Sequence, residues 1–585
     1  MTPSINTRPV YSSPAPARAK KAAKQETPTR GGLGDSFQPD WKSQLSDLKT
    51  TLVAQEELGI SSVVNSKQAG EILERYKSDK TPTEDLKVIA DRAVAEEDML
   101  PEFTQEVKTA AAAFTQAAGP DHPSVVDLRH LAFVSVDNGD LNPKTGKLEN
   151  ASKDIDQVEY AEKLPNGDIR MMVGIADVDS LVKKGDVIDN QAMRHGATVY
   201  TDDKIFPMIP RNLSEDTTSL NEKVDRLAVI KQFDVTPDGE IKGLKVFRGY
   251  VNNKAQMAYD SVNEYLTDGS GARPPQLQDE TMAQQMELQS EAAQRIRHHF
   301  HAKGSLDLES GEARALISNG KVKGMKREIQ SVAKDKVKFN MMAANISSMN
   351  VLDAAGMPTL RRIVKTPEKW DQIKELAGKY DYNLPSYPDA KALNEFLESR
   401  KQANPGAHEE LSSNVVRLVG RGEYVVAKPG EPMEGHFCLA APDYGHTTAP
   451  NRRAPDLVNQ RIEKAYAEGR DCPYTVEEME ALAEHFNQQE QAIKNIERTV
   501  HRSAEAKLMK HKIGQTFDGR IHKELRNGTL VRLQEPYVTG LVQQKLEGDS
   551  GDQIRVKLEK VDVEKGHIDF SVAKEQMHDG FLLKH

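Results

Sequence analysis

Hydrophobic and polar positions change rhythm several times along this chain. From 36 to 120, apolar residues recur at three- and four-residue steps in "WKSQLSDLKTTLVAQEEL", "QAGEILERYK" and "LPEFTQEVKTAAAAFTQAA". Separated by Gly, Pro and Ser/Thr breaks, these runs predict a small helical N-terminal domain. Between about 125 and 262 the rhythm shortens to β-branched runs, "AFVSV", "RMMVGIADV", "ATVY" and "LAVIKQFDV", divided by "PNGD" and "PDGE" turns. A sheet-rich core is expected there. Helical spacing returns over 280–350 and 455–508, and residues 511–575 alternate again in "GQTFDGRIH", "GTLVRLQ" and "IRVKLEKVDVEKGHIDFSV". That last stretch has the size of a five-stranded OB-fold β-barrel. No internal repeat is visible, and the fold class read from the pattern is α+β, in several domains.

Length agrees with this division, because 585 residues suffice for several separate cores. Residues 1–35, with "SSPAPARAKKAAKQETPTRGG", lack hydrophobic periodicity and read as a disordered basic tail. No run approaches the roughly 18–20 consecutive apolar residues of a membrane span. The only cysteines, Cys438 and Cys472, sit in no metal-binding spacing. Few cysteines and the lack of a secretory signal fit a cytoplasmic protein. The formal charge of -10 argues against coating nucleic acid by bulk attraction but leaves room for a local basic groove.

The candidate chemistry starts at "SKDIDQVEY", residues 152–160. In an extended segment Asp154 and Asp156 point to one side. Asp137 and Asp140 could close around the same spot if the loop between them and the pair folds back. Such oxygen-only sets suit Mg²⁺ or Mn²⁺. On spacing alone, a solvated turn explains the two aspartates equally well.

The ordered blocks "VVDLRHLAFVSVD", "SKDIDQVEYAE", "RMMVGIADVDSL", "HGATVYTDD", "NNKAQMAYDSV", "GSLDLESGEA", "NMMAANI" and "GHFCLAAPDYGHTTAPNRRAPDL" resemble the catalytic RNB domain of the ribonuclease II and ribonuclease R family over roughly 125–465. A helical segment over 466–510 would close that domain, and 511–578 is similar to the family's S-one-type OB-fold. The resemblance implies processive 3′-to-5′ hydrolysis of single-stranded RNA to nucleoside 5′-monophosphates with Mg²⁺, Mn²⁺ being possible. Partners would be single-stranded RNA, with no DNA and no membrane, and the protein a monomer. By the same resemblance Asp137, Asp154, Asp156 and Gln157 stand at metal-binding positions, with Asp156 the most critical acid for cleavage. Tyr200 matches a base-stacking tyrosine, Tyr259 a tyrosine near the cleaved end, and Arg452, followed by Arg453, the phosphate-gripping arginine. Without the motif both tyrosines would read as ordinary core aromatics. In the OB-fold, Phe517 and Tyr537 are candidate stacking residues, helped by Arg520, His522 and Arg532, with barrel packing as the rival reading. His436 and His446 read as packing or hydrogen-bonding residues.

The chain departs from the family pattern where a second adjacent acid is expected, since Gln157 brings no negative charge. Glu149, Asp140 or Glu159 could supply it from another direction. Lys338 and Phe339 stand where the family commonly has a glutamate before "AAN". The functional reading is therefore a metal-assisted exoribonuclease, with a catalytically weakened or inactive RNA-binding protein of the same family as the alternative.

Overall fold

The computed structural model describes residues 67–142, 148–268, 273–308, 313–327 and 330–573. The predicted basic tail, the helix expected in "WKSQLSDLKTTLVAQEEL" and the last residues of the 511–578 unit lie outside the described residues.

Three helices come first: α1 (Lys67–Ser78), α2 (Leu86–Glu96) and α3 (Gln105–Ala112). Asp85 and Thr104 cap α2 and α3 by accepting backbone N–H bonds, as N-cap side chains do. Ala69, Ile72 and Leu100 form a small cluster of their own. Otherwise the helices pack onto shared cores: Val94 and Met99 join Ile493, Ile496 and Val500, while Val107 and Ala111 enter the main cluster.

The central sheet uses β1 (Val126–Asp127), β2 (Phe133–Asp137), β5 (Gln157–Lys163), β6 (Ile169–Ala176), β9 (Asp225–Val235) and β10 (Ile241–Ala258). Between β2 and β5 lies a short hairpin of β3 (Asp140–Leu141) and β4 (Leu148–Glu149). After β6 the chain forms α4 (Val187–His195), β7 (Val199–Tyr200) and β8 (Ile205–Phe206). The sheet order is β1-β10-β2-β5-β6-β9, and β10 also pairs with β9. The 18-residue β10 thus closes the sheet on itself: Ile241 to Asn252 run antiparallel to β9, and Asn253 to Ala258 parallel to β2.

Helices from the rest of the chain cover this sheet. The chain continues through α5 (Tyr259–Asp268), α6 (Glu280–Ala302), the hairpin β11 (Ala313–Ser318) and β12 (Lys321–Arg327), then α7 (Val332–Ala354). Met171, Val173 and Phe233 pack against Ala292 and Ile296 of α6 and Phe339 and Met342 of α7. Further on come β13 (Thr359–Ile363), α8 (Trp370–Gly378), α9 (Ala390–Ala403), α10 (Pro405–Val419), β14 (Glu423–Ala427), α11 (Ala454–Ala467) and α12 (Val476–Met509). Leu457, Val458 and Ile462 of α11 and Leu482 and Phe486 of α12 meet Phe133, Ile155 and Val158 in the main core. The 34-residue α12 opens with a capping box between Thr475 and Glu478 and, at 1.5 Å per residue, is a rod about 50 Å long. Its far end reaches the C-terminal barrel through Ala506 and Met509.

The hairpin β11–β12 corrects the expectation of uninterrupted helix over 280–350. Its sequence "ARALISNGKVKGMKR" carries an Asn-Gly turn, with Asn319 at φ 51° and Gly320 at φ 69°, the geometry that favours two-residue hairpin loops. The C-terminal unit is a closed barrel in the order β15-β16-β17-β19-β18, built from β15 (Thr516–Leu525), β16 (Gly528–Leu533), β17 (Thr539–Val542), β18 (Gln553–Asp562) and β19 (His567–Val572). Ile521, Val531, Val556, Leu558 and Phe570 fill it. The structure is a mixed helix and strand protein of several units ending in a five-stranded barrel, as the alternation in the sequence indicates. Among the described residues no helix is long and apolar enough to cross a membrane.

Candidate active site

Asp154 and Asp156 lie in the irregular segment that leads into β5, directly in front of the buried strand pair β5–β6. Ile155 between them is fully buried in the main core, which anchors the segment and leaves its two acids facing away from that anchor. Asp156 is 2 % exposed. Its Oδ1 accepts the Asn451 backbone N–H at 3.1 Å, and its Oδ2 accepts Arg452 Nε at 3.1 Å. Asp154 Oδ2 accepts the Tyr200 hydroxyl at 3.3 Å.

The loop carrying Arg452 is held from behind by Asp456, in the first turn of α11. Asp456 Oδ1 accepts the backbone N–H groups of Thr448 and Ala449, both at 2.8 Å, and Arg453 Nη2 at 2.7 Å. Arg453 therefore serves its own loop, while Arg452 reaches forward with 45 % of its side chain accessible. Tyr200 is 39 % exposed. Two accessible side chains thus stand beside the acid pair, Tyr200 on Asp154 and Arg452 on Asp156. The Tyr200 arm and the Arg452 loop are tied together, since the Thr198 N–H donates to the Arg452 carbonyl at 3.0 Å. Gly196, at φ 72°, makes the turn from α4 into this arm, and a Cβ there would come within 2.9 Å of Gln489.

Asp137 ends β2, and register places it beside Ala258, the last residue of β10. Tyr259 follows at once as the first residue of α5. Burial pushes the Asp137 carboxyl up to about 8, with repulsion from Asp156 adding to it. Burial likewise raises Asp156 to about 6, against the pull of Arg452. The Tyr259 phenol is raised by burial and by the nearby charges of Asp137 and Glu159. Asp137, Asp154, Asp156, Tyr200, Tyr259 and Arg452 thus come together from five separate elements.

The donors fit a hard divalent cation in part. All are oxygens, and Asp137 Oδ2 is buried with no hydrogen-bond partner, the condition a cation would relieve. Yet among the described residues no group of three or more His, Cys, Asp or Glu side chains is arranged to hold a metal ion. Gln157, opposite Ile175 at the start of β5, adds no charge.

None of the three alternative acids makes up the difference. Asp140 and Glu149 pair across the exposed β3–β4 hairpin and accept from Asn150 at 2.9 Å and Asn142 at 2.6 Å. Glu159 is buried and committed elsewhere: its Oε1 lies 3.1 Å from Lys336 Nζ, and its Oε2 accepts Asn340 Nδ2 at 2.7 Å. Lys336 was not singled out in the sequence, although it falls with Ala333, Val337 and Asn340 on the buried stripe of α7. A lysine on such a stripe is the signal that could have found it. Glu497 of α12, which accepts the Tyr200 backbone N–H at 3.2 Å, gave no comparable signal.

Residues 126–469 match the RNB domain. The chain belongs to the RNB family. Residues 515–573 match the RNase II-type exonuclease C-terminal S1 domain. Among its RNB relatives, "Ribonuclease R 1" of Lactococcus lactis is 26 % identical over 514 residues, 82 % of this chain and 60 % of the relative. Ribonuclease R of Thermotoga maritima is 28 % identical over 81 % of this chain and 68 % of its own length, and that of Escherichia coli 27 % over 76 % and 57 %. This chain therefore spans little more than half to two thirds of these relatives. Of solved RNB structures, Mycoplasma genitalium RNase R in complex with ribose methylated single-stranded RNA superposes with a TM-score of 0.74 at 22 % identity, covering 84 % of this chain and 78 % of the other. Yeast Ssd1, described as a pseudonuclease, gives 0.61 at 15 %, covering 81 % and 58 %. Both likenesses concern the fold.

The S1-domain candidates are placed differently from one another. Phe517 packs against the barrel core. Tyr537 is partly buried, with the guanidinium carbons of Arg327 and Arg532 over its ring at 5.0 and 5.2 Å. His446 accepts or donates at 2.8 Å with the Tyr424 hydroxyl, and His436 stacks edge-on against Tyr444, so both histidines belong to an aromatic cluster behind the Arg453 side of the loop.

Proposed function

We propose that this protein is a 3′-to-5′ exoribonuclease that hydrolyses single-stranded RNA processively to nucleoside 5′-monophosphates. The observation that carries the reading is the contact of Tyr200 with Asp154 and of Arg452 with Asp156 at one acid pair, in a chain of the RNB family. Arg452 would take the scissile phosphate with the part of its fork that Asp156 leaves free, a planar pairing that suits arginine. Tyr200 would carry a terminal base on its ring, which holds any base without reading its edge. Asp156, buried and bonded to Arg452, would orient an attacking water beside the phosphate. Asp137, Asp154 and Asp156 would hold Mg²⁺ or Mn²⁺, which when bound supplies charge neutralisation at the phosphate and lowers the pKa of water.

A second reading, an RNA-binding protein with little hydrolysis, is favoured by Gln157 and by the engagement of Glu159 with Lys336. One experiment separates the two. Purified protein is incubated with 5′-labelled single-stranded RNA in Mg²⁺, Mn²⁺ or chelator. A metal-dependent ladder collapsing to a short product supports the exonuclease; intact RNA with a shifted band on a native gel supports the binding protein.

A further inference from the structure

Helix α10 begins at Pro405 and presents two adjacent carboxylates, Glu409 and Glu410, to the C-terminal barrel. Glu409 pairs with Arg327, accepts Arg532 Nη1 at 2.8 Å and accepts the Tyr537 hydroxyl. Glu410, 4 % exposed, accepts Arg532 Nη1 at 3.1 Å and meets His522 Nδ1. The receiving set is two arginines, a histidine and a tyrosine whose ring lies under both guanidiniums. Its chemistry is that of a nucleotide site, with cationic donors for a phosphate and an aromatic face for a base. Here the anions it holds come from the chain itself.

Two features argue that this contact is not only an adhesive between units. A permanent interface is packed like a protein interior. This one leaves a cavity of about 400 Å³ lined by Arg327, Glu409, Glu410, Arg520, Arg532 and Tyr537, the size of a small-ligand pocket. The donors also exceed what two carboxylates need: Arg520 at the cavity wall is turned back to the Gly551 carbonyl at 2.7 Å.

We propose that Glu409 and Glu410 act as internal stand-ins for RNA phosphates, occupying the anion site formed by Arg327, His522, Arg532 and Tyr537, so that RNA engages this barrel face only by displacing α10. The inference rests on the RNA-handling reading above. The barrel's contribution to affinity is then held in reserve, and a strand that reaches the face releases α10 as it binds.

The test uses the full chain and a fluorescent single-stranded RNA in chelator, which prevents metal-dependent cleavage. The double variant Glu409→Gln, Glu410→Gln should bind this RNA about fivefold or more tightly than wild type, as a coupling of typical size would give. In wild type, hydrogen exchange of backbone amides in 404–419 should speed up when RNA is added. Equal or weaker binding by a folded variant overturns the proposal, since the pair would then be adhesive alone. Unchanged or slower exchange in α10 overturns it as well, and this measurement stands even if the variant fails to fold. No RNA binding by either protein would instead remove the RNA reading on which the inference rests.

Discussion

Arg452 Nε lies 3.1 Å from Asp156 Oδ2, so a half-accessible cation is joined to a buried carboxylate. Burial raises the Asp156 carboxyl to about 6 while Arg452 pulls it down, and 45 % of the arginine side chain stays accessible. In the proposed reaction, phosphate binding by Arg452 and the charge of Asp156 are linked through this one contact.

Asp156→Asn keeps the shape and the Asn451 contact but removes the charge. Cleavage of single-stranded RNA should fall below detection while RNA affinity changes by less than about fivefold, since Arg452 is released for phosphate. Labelled-RNA gels and filter binding on the same preparation check this. Equal loss of both would make Asp156 a structural residue.

Gln157→Asp adds the charge that Asp140, Glu149 and Glu159 do not supply. The variant should reach half-maximal cleavage at a lower Mg²⁺ concentration than wild type, by roughly tenfold for one added carboxylate if it is worth about 1.4 kcal/mol. An unchanged Mg²⁺ titration would mean that position 157 does not face the ion.

Asp137 gives a dependence of stability on pH with a definite sign. Its carboxyl is raised to about 8 in the folded protein, chiefly by burial, against 3.8 in a free chain. The folded state therefore holds the proton that the unfolded state loses, and stability from this group is complete below about pH 4 and falls as pH rises through about 8. Without divalent metal, Asp137→Asn should raise the melting temperature at pH 8.5 and leave it nearly unchanged at pH 4, the difference being on the order of a few kcal/mol. Thermal unfolding at the two pH values decides it, and an equal effect at both would show that burial of the charge is not the cause.

Lys336 and Glu159 form an ion pair with both side chains 1 % exposed. Removing one partner strands a buried charge, so Lys336→Met should cost about 3–5 kcal/mol in urea unfolding. Adding Glu159→Gln should return most of that loss. If the single variant costs under about 1 kcal/mol, the pair is not charged on both sides in the folded state.

The sequence was readable where periodicity and local chemistry coincide. The alternation of 511–575 marks the barrel, and the segment before a β-branched run marks Asp154 and Asp156. Family blocks then pick out Tyr200, Tyr259 and Arg452, which the fold brings beside the same acids. What stayed hidden depends on contacts between distant residues. Glu159 reads as a free acid until Lys336, on another element, is placed against it. Tyr537 reads equally as a stacking or a packing residue until Arg327 and Glu409 arrive from two other parts of the chain. The β11–β12 hairpin is masked for a different reason: its Asn319-Gly320 turn sits between two strongly helical stretches whose periodicity outweighs it.

The strand β10 has one more consequence, for the order in which the protein comes into being. Because Asp137 and Tyr259 are aligned only when β10 has paired along β2, and because Asp156 meets its guanidinium only from Arg452, a nascent or truncated chain that stops between Tyr259 and Arg452 has the three aspartates but lacks the arginine that meets Asp156. The cluster is thus completed only after the residues up to Arg452 have been made and folded against the sheet.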